Sequence, residues 1–434
     1  MNYEEALLRL YDAAYPGSRP GLDAVKGLLK KLGDPQKQLK IVHCAGTNGK
    51  GSAMAFLERI LLDAGYHVGR FVSPSLFYFG EQLRYDAVPI GKSEFAILAG
   101  PVLDAVDEMK REGGLVPTVF EITCAMAFRW FAVKGCDIAL VEAGMGGELD
   151  ATNVADTTVL AVITSISLDH CQYLGGTASE IARVKAGIIK PGIRVCLDGQ
   201  TPFADEVVPV VAAVCREKNA SLAVTSEDDI SLISSGPEGS VFTWKGRGPF
   251  RITLPGLYQV KNAALCLEAV GALEELGFTV SEKALRRGLE ETVWNGRFEI
   301  VSKEPCVILD GAHNPDAAAA LMDSVRTYFP ENKIIMIFGV FSDKEYDKII
   351  QLTMPYAHHV YTVEAGDRLR TLSSGKAAKA AAGKARRVTD AKTVDNALTL
   401  ALKEAQGGDV ILVFGSLSIM HESAVYFENR KSRQ

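Results

Sequence analysis

Between residues 46 and 52 the chain reads Gly46-Thr47-Asn48-Gly49-Lys50-Gly51-Ser52, three glycines, a lysine and two hydroxyl side chains. An apolar run, Ile41-Val42-His43-Cys44-Ala45, precedes it, and a stretch of helical periodicity ending at Gly65 follows. Glycines let consecutive backbone N–H groups converge on an anion without interference from Cβ, and the positive end of a following helix adds fixed charge. Lys50 adds a full charge for β- and γ-phosphates. The segment reads as a nucleotide-phosphate cradle with Gly46, Thr47, Asn48, Gly49, Lys50, Gly51 and Ser52 as its contacts. A ligand-free glycine turn is the alternative, but a lysine has no packing purpose in a tight turn. The spacing departs from the common form: two residues separate Gly46 from Gly49 where four are usual, and Gly51 intervenes between lysine and serine.

Other residues suit the same chemistry. Ile138-Ala139-Leu140-Val141-Glu142 is an apolar strand ending in a carboxylate before the turn Ala143-Gly144-Met145-Gly146-Gly147. A carboxylate there can reach a magnesium ion that bridges nucleotide phosphates; a surface glutamate opening a loop is the plainer reading. A second run, Val159 to Thr164, leads into Ser165-Ile166-Ser167-Leu168-Asp169-His170, and a third, Phe71-Val72, ends at Ser73-Pro74. Alone, His170 reads as a satisfied loop histidine, Ser73 as part of a Ser-Pro turn and Lys185 of Lys185-Ala186-Gly187-Ile188 as a solvated residue. Glu121 in Thr118-Val119-Phe120-Glu121 sits in the first turn of a helix, where its charge complements the dipole. Leu309-Asp310-Gly311-Ala312-His313-Asn314-Pro315 puts an aspartate at a strand end and a proline at a helix start, so Asp310 and His313 are expected to face an interdomain cleft.

In this order, the strings G-T-N-G-K-G-S, E-A-G-M-G-G-E-L-D-A-T-N, L-D-H-C-Q-Y-L-G, K-A-G-I, Y-Q-V-K-N-A, G-R-F-E and D-G-A-H-N-P resemble the Mur ligase superfamily and, within it, the folylpolyglutamate synthase and dihydrofolate synthase branch. The resemblance implies ATP and Mg2+, with two ions, as cofactors. It makes Ser73, Glu142 and His170 metal ligands, and makes Lys185 a carbamylated lysine serving as a further ligand. A lysine of unperturbed pKa ~10.4 would repel magnesium, whereas its carbamate supplies hard oxygen donors. Asn262, Arg297 and Asp310 become nucleotide contacts, and Lys50, His313 and Lys185 the catalytic set. The implied reaction is phosphorylation of a folate or pteroate-type carboxylate by ATP, then attack of the L-glutamate amine on the acyl phosphate. Four positions depart from the pattern: Ser75 where S-P-H-L has histidine, Gln82 where N-E-R is usual, Glu148 where G-G-R-L-D has arginine, and Val184 where E-K-A-G has glutamate. They leave the phosphate and metal groups intact and bear on the acid side. A Mur-type ligase for a non-folate acid or another amine stays open, as does an ATP-driven switch without ligase activity.

These residues need strands to carry them. Apolar runs alternating with helical segments from residue 41 predict an α/β fold: a P-loop-type, mostly parallel sheet domain over 1–294, then a smaller Rossmann-like α/β domain over 295–434. Strands are expected at 41–45, 68–72, 137–142, 159–164 and 194–198, then at 306–310, 333–339, 358–363 and 409–414. An antiparallel patch over 220–254 is expected to decorate the first sheet, helices are expected at Asn262–Leu276 and Ser281–Leu289, the Lys185 helix is expected to stop at Pro191, and Gly375–Arg387 reads as a solvated helix. With 434 residues, 23% charged, and a net charge of −6 without a basic block, nucleic acid is not an expected partner. The acidic start and the shortness of the apolar runs point to a cytoplasmic protein without a membrane span, and the chain is expected to act as a monomer. The eight cysteines show no C-x-x-C pair and read as small buried hydrophobes in a reducing compartment.

Overall fold

The computed structural model describes residues 1–17, 21–367 and 370–431. Two compact units emerge: Met1–Ile230 with Asn262–Glu291, and Ser231–Lys261 with Thr292–Gln434.

In the first unit, β1 (Ile41–Ala45), β5 (Ile138–Glu142) and β6 (Thr158–Ile163) are the central strands, and β1 and β5 are buried at every position. Strands covered on both faces are apolar at nearly every position, so these runs show no alternation. The remaining strands are β2 (Val68–Phe71), β3 (Leu83–Tyr85), β4 (Val88–Pro89), β7 (Arg194–Asp198) and β8 (Ser221–Thr225). Their order is β4-β3-β2-β5-β1-β6-β7-β8. From β2 to β8 every pairing is parallel, while β3 and β4 fold back antiparallel at one edge. The carboxyl ends of β2, β5, β1 and β6, which carry Ser73, Glu142, the cradle and the His170 loop, are therefore neighbours.

The segment expected as a decoration of this sheet divides. Ser221–Thr225 is its last parallel strand, whereas β9 (Ile230–Gly236), β10 (Gly239–Trp244) and β11 (Arg247–Ile252) form a separate antiparallel sheet grouped with the second unit. Side-chain bonds explain the grouping: Ser235 Oγ meets Tyr328 Oη at 2.6 Å, and Leu257 N donates to Ser324 Oγ at 2.9 Å, both on the helix Pro315–Tyr328. The second unit's main sheet runs β12-β13-β17-β14-β15-β16, from β12 (Glu299–Lys303), β13 (Cys306–Asp310), β14 (Ile334–Phe338), β15 (Ala357–Val363), β16 (Val388–Lys392) and β17 (Val410–Phe414). Only β12 is antiparallel in it.

Several expected bounds move. The helix expected over Gly375–Arg387 is Ser374–Ala381, and the polar strand β16 follows it, unannounced by any apolar run. The helix bearing Lys185 ends at Ala186, with Gly187 as its cap, rather than at Pro191. Of the cysteines, Cys171 is exposed and Cys136 and Cys306 are half-buried, while the other five are buried as expected. Among the described residues no helix is long and apolar enough to cross a membrane.

Candidate active site

The cradle is shaped by what it leans on. At the end of β1, Gly46 takes φ +155°, and a Cβ there would fall 1.8 Å from Thr164 Oγ1. Thr47 N and Asn48 N donate to Ser165 O at 2.8 and 3.2 Å, and Thr47 Oγ1 accepts from Ser167 N while donating to Ser167 O, both at 3.1 Å. The loop is thus held against the segment that follows β6. Gly49, at φ +92°, caps the helix Lys50–Asp63, and a Cβ on it would lie 2.4 Å from Asn262 Oδ1. A side chain at either glycine would meet another group, so the sequence must be small there. Asn262, chosen from the sequence as a nucleotide contact, lies directly over the turn. Ser52 is buried in the first helical turn, with Gly51 beside it.

Two lysines converge on one carbonyl. Lys50 Nζ donates to Gly46 O at 3.0 Å and to Thr47 O at 3.2 Å, and stands 3.7 Å from Glu142 Oε1 at the tip of β5. Lys185 Nζ donates to the same Gly46 O at 2.8 Å. Burial, and then repulsion from Lys50, hold the Lys185 ammonium down to a pKa of about 7, with Asp169 and Asp150 pulling the other way. The solvated lysine of the plain reading is instead buried, with an amine that is part neutral near physiological pH. Asp169, whose charge acts on this amine, is a residue that sequence reasoning passed over, although it adjoins His170.

The D-A-T-N string positions this lysine. Asp150 accepts from Met145 N at 2.8 Å, Thr152 N at 3.0 Å and Thr152 Oγ1, and His43 Nε2 lies 2.7 Å from that hydroxyl. Because the threonine proton goes to Asp150, His43 is the donor on Nε2. Asn153 Nδ2 donates to Glu148 O and Gly187 O, both at 3.0 Å, and Glu148 N donates to Val184 O at 3.0 Å. The turn after β5 and the end of the Lys185 helix are therefore clasped together. Two of the four departures, Glu148 and Val184, prove to be neighbours through this backbone bond. Of the others, Gln82 is buried and its carbonyl accepts from Val72 N at 3.0 Å, while Ser75 lies in a loop that Glu81 closes by accepting from Leu76 N and Phe77 N, both at 3.0 Å.

His170 takes φ +53° at the head of a short helix, Cys171–Leu174, and its Nε2 lies 3.9 Å from Asp169 Oδ2. Ser73 is half-buried just past β2. Glu121 turns inward to complete a capping box, accepting from Thr118 N at 2.7 Å while Glu121 N donates to Thr118 Oγ1 at 3.2 Å, so it shapes a helix start. Among the described residues no cluster of three His, Cys, Asp or Glu side chains is gathered for a metal. The expected ligand set does not depend on one, since it includes a serine and a modified lysine.

In the second unit Asp310, at the tip of β13, is buried and pushed up by that burial. It accepts from Tyr258 Oη, Phe298 N and Ala312 N, each at 2.8 Å. Arg297 donates from Nη1 to Gly296 O at 2.9 Å and lies across Gly311, where a Cβ would be 2.2 Å from that nitrogen. His313 Nδ1 is 2.8 Å from Gly311 O, which can only accept, so the ring's proton is on Nδ1. Asn314 caps the helix Pro315–Tyr328, with proline at its first position.

Comparison with known proteins agrees with these motifs. Residues 110–270 match the Mur ligase middle domain, and residues 296–417 the Mur ligase glutamate ligase domain. The chain is 35% identical over 367 residues to a dihydrofolate synthase/folylpolyglutamate synthase of Bacillus subtilis, covering 83% of this chain and 84% of the relative. It is 31% identical to a folylpolyglutamate synthase of Lacticaseibacillus casei, covering 80% and 81% of the two chains. Among solved structures it is similar to Mycobacterium tuberculosis folylpolyglutamate synthase complexed with ADP and AMPPCP, at a TM-score of 0.87 and 29% identity, covering 98% of this chain and 99% of that one. E. coli FolC in complex with DHPP and ADP matches at a TM-score of 0.86 and 28% identity, covering 99% of each chain.

Proposed function

The chain belongs to the folylpolyglutamate synthase/dihydrofolate synthase family of Mur ligases, and we propose that it is an ATP-dependent ligase that adds L-glutamate to folates, with dihydropteroate as a second acid substrate. The observation that carries this reading is Lys50, seated in the Gly46–Ser52 turn within 3.7 Å of Glu142, in a chain whose relatives at this identity and coverage bear that activity. Those relatives favour neither a non-folate acid nor a switch without ligase activity.

In the first step a carboxylate oxygen of the acid attacks the γ-phosphorus of ATP; the bond to the β-phosphate oxygen breaks, giving an acyl phosphate and ADP. In the second, the glutamate amine attacks the acyl carbon and loses a proton, and inorganic phosphate leaves as the amide forms. We assign Lys50 to the charge that develops on the transferred phosphoryl group. We assign Gly46 to Ser52, Asn262, Arg297 and Asp310 to the nucleotide, and His313, with its proton on Nδ1, to the same reaction.

Ser73, Glu142, His170 and Lys185 are the residues that would hold two magnesium ions. When bound, these ions neutralise phosphate charge. The donor set fits: Lys185 is a buried amine held near pKa 7, and the neutral amine is the form that reacts with CO2. Carbamylation would also replace cation facing cation, Lys185 and Lys50, by an opposed pair. The test of the function is an assay of purified protein with ATP, magnesium and L-glutamate, with tetrahydrofolate and dihydropteroate supplied separately. An amide product with stoichiometric phosphate release is expected; phosphate release without amide would refute it.

A further inference from the structure

We propose that the Tyr258 hydroxyl is a positioning residue for the nucleotide, acting through Asp310; this rests on the assignment of Asp310 and Arg297 to ATP. Tyr258 Oη donates to Asp310 Oδ2 at 2.8 Å. Burial and the neighbouring carboxylate keep the phenol protonated, so the direction of the bond is fixed.

Asp310 is a junction. Its Oδ2 also accepts from Phe298 N, next to Arg297, and its Oδ1 accepts from Ala312 N, next to His313. One carboxylate thereby sets two backbone segments, and each carries a side chain assigned to the nucleotide. Phe298 has φ +45°, a conformation that a non-glycine residue holds only when its surroundings impose it, and its N–H is held by Asp310. The tyrosine is itself anchored. It opens the helix Tyr258–Glu275, its ring packs on Gly256, where a Cβ would fall 2.9 Å away, and Leu257 N donates to the buried Ser324 Oγ. Without the hydroxyl, Asp310 keeps its backbone donors but loses the side-chain donor that fixes Oδ2, and Arg297 loses its exact placement over Gly311. A histidine at 258 would also present an N–H donor to the carboxylate.

The test compares wild type, Tyr258→Phe and Tyr258→His. Binding of a non-hydrolysable ATP analogue is measured by calorimetry, KM is measured separately for ATP, folate and glutamate, and thermal midpoints register folding. Tyr258→Phe retains the ring, so it isolates the hydroxyl. Nucleotide affinity is expected to fall on the order of tenfold, the loss typical of one hydrogen bond to a charged group. The KM values for folate and glutamate should be unchanged, and Tyr258→His should restore most of the loss. Unchanged nucleotide affinity in Tyr258→Phe, or equal losses for all three substrates, would overturn the assignment. A wild-type protein that binds no nucleotide would instead overturn the functional reading on which it rests.

Discussion

Lys50 shows how a side chain's surroundings set its chemistry. Its ammonium rests on the carbonyls of its own loop and beside Glu142, so the charge is preplaced and needs no reorganisation when phosphate arrives. Lys50→Ala should lower kcat by at least about 100-fold, an effect of ~3 kcal/mol, with an unchanged thermal midpoint; retention of half the activity would refute the cradle. For Lys185, carbon-13 NMR in labelled bicarbonate should reveal a carbamate, and Lys185→Ala should be inactive but partly rescued by small carboxylates. A free amine in the nucleotide-loaded enzyme would count against the assignment. His43 titrates in the opposite sense to a paired histidine. Burial, with a contribution from Lys190, holds its folded pKa to about 3, whereas the unfolded ring protonates near 6.5. Its contribution to stability is thus complete above pH 6.5 and is lost as pH falls toward 3, at up to about 1.4 kcal/mol per pH unit. Denaturation midpoints of His43→Gln, which keeps a donor for Thr152, should decline less steeply than wild type between pH 6 and 4.

Among the elements, the clasp between the turn after β5 and the end of the Lys185 helix couples a carboxylate to a lysine through backbone atoms and the Asn153 amide. Gly187 is its tightest point: a Cβ there would lie 2.4 Å from Glu148 Cβ and 2.6 Å from its Cα. Gly187→Ala must push these segments apart, with a loss of roughly 1–3 kcal/mol in stability. The ligase rate should fall further than thermal denaturation accounts for, because Lys185 moves with the helix end. Equal rates in variant and wild type at a temperature where both are folded would show that the clasp does not position the site.

For the whole molecule, the departures at 148 and 184 bear on the acid substrate. Glu148 is exposed and its backbone adjoins Val184, so the charge inversion at 148 comes with the removal of the acid that the family pattern puts at 184. Removal of the acid at 184 offsets part of the charge that the inversion at 148 changes. Tetrahydrofolate should therefore remain a substrate, and Glu148→Arg should lower its KM by no more than about threefold. A much larger gain would place the anionic substrate next to Glu148.

The sequence by itself determined the central strands and the cradle, because fully buried parallel strands leave nearly continuous apolar runs and a phosphate turn requires glycines where the backbone takes positive φ or approaches another group. It also placed Glu142 at a strand tip, and the order of motifs identified the family. It did not disclose β16 or β12, whose residues are largely polar, nor the grouping of β9, β10 and β11 with the second unit. Pairing and side-chain bonds to distant residues decide those. Nor could spacing show that Lys50 and Lys185, so far apart along the chain, share the carbonyl of Gly46, or that Asp310 is a junction. Such roles depend on which partner a group meets after folding, and burial among those partners turned Lys185 from an ordinary cation into an amine poised near neutrality.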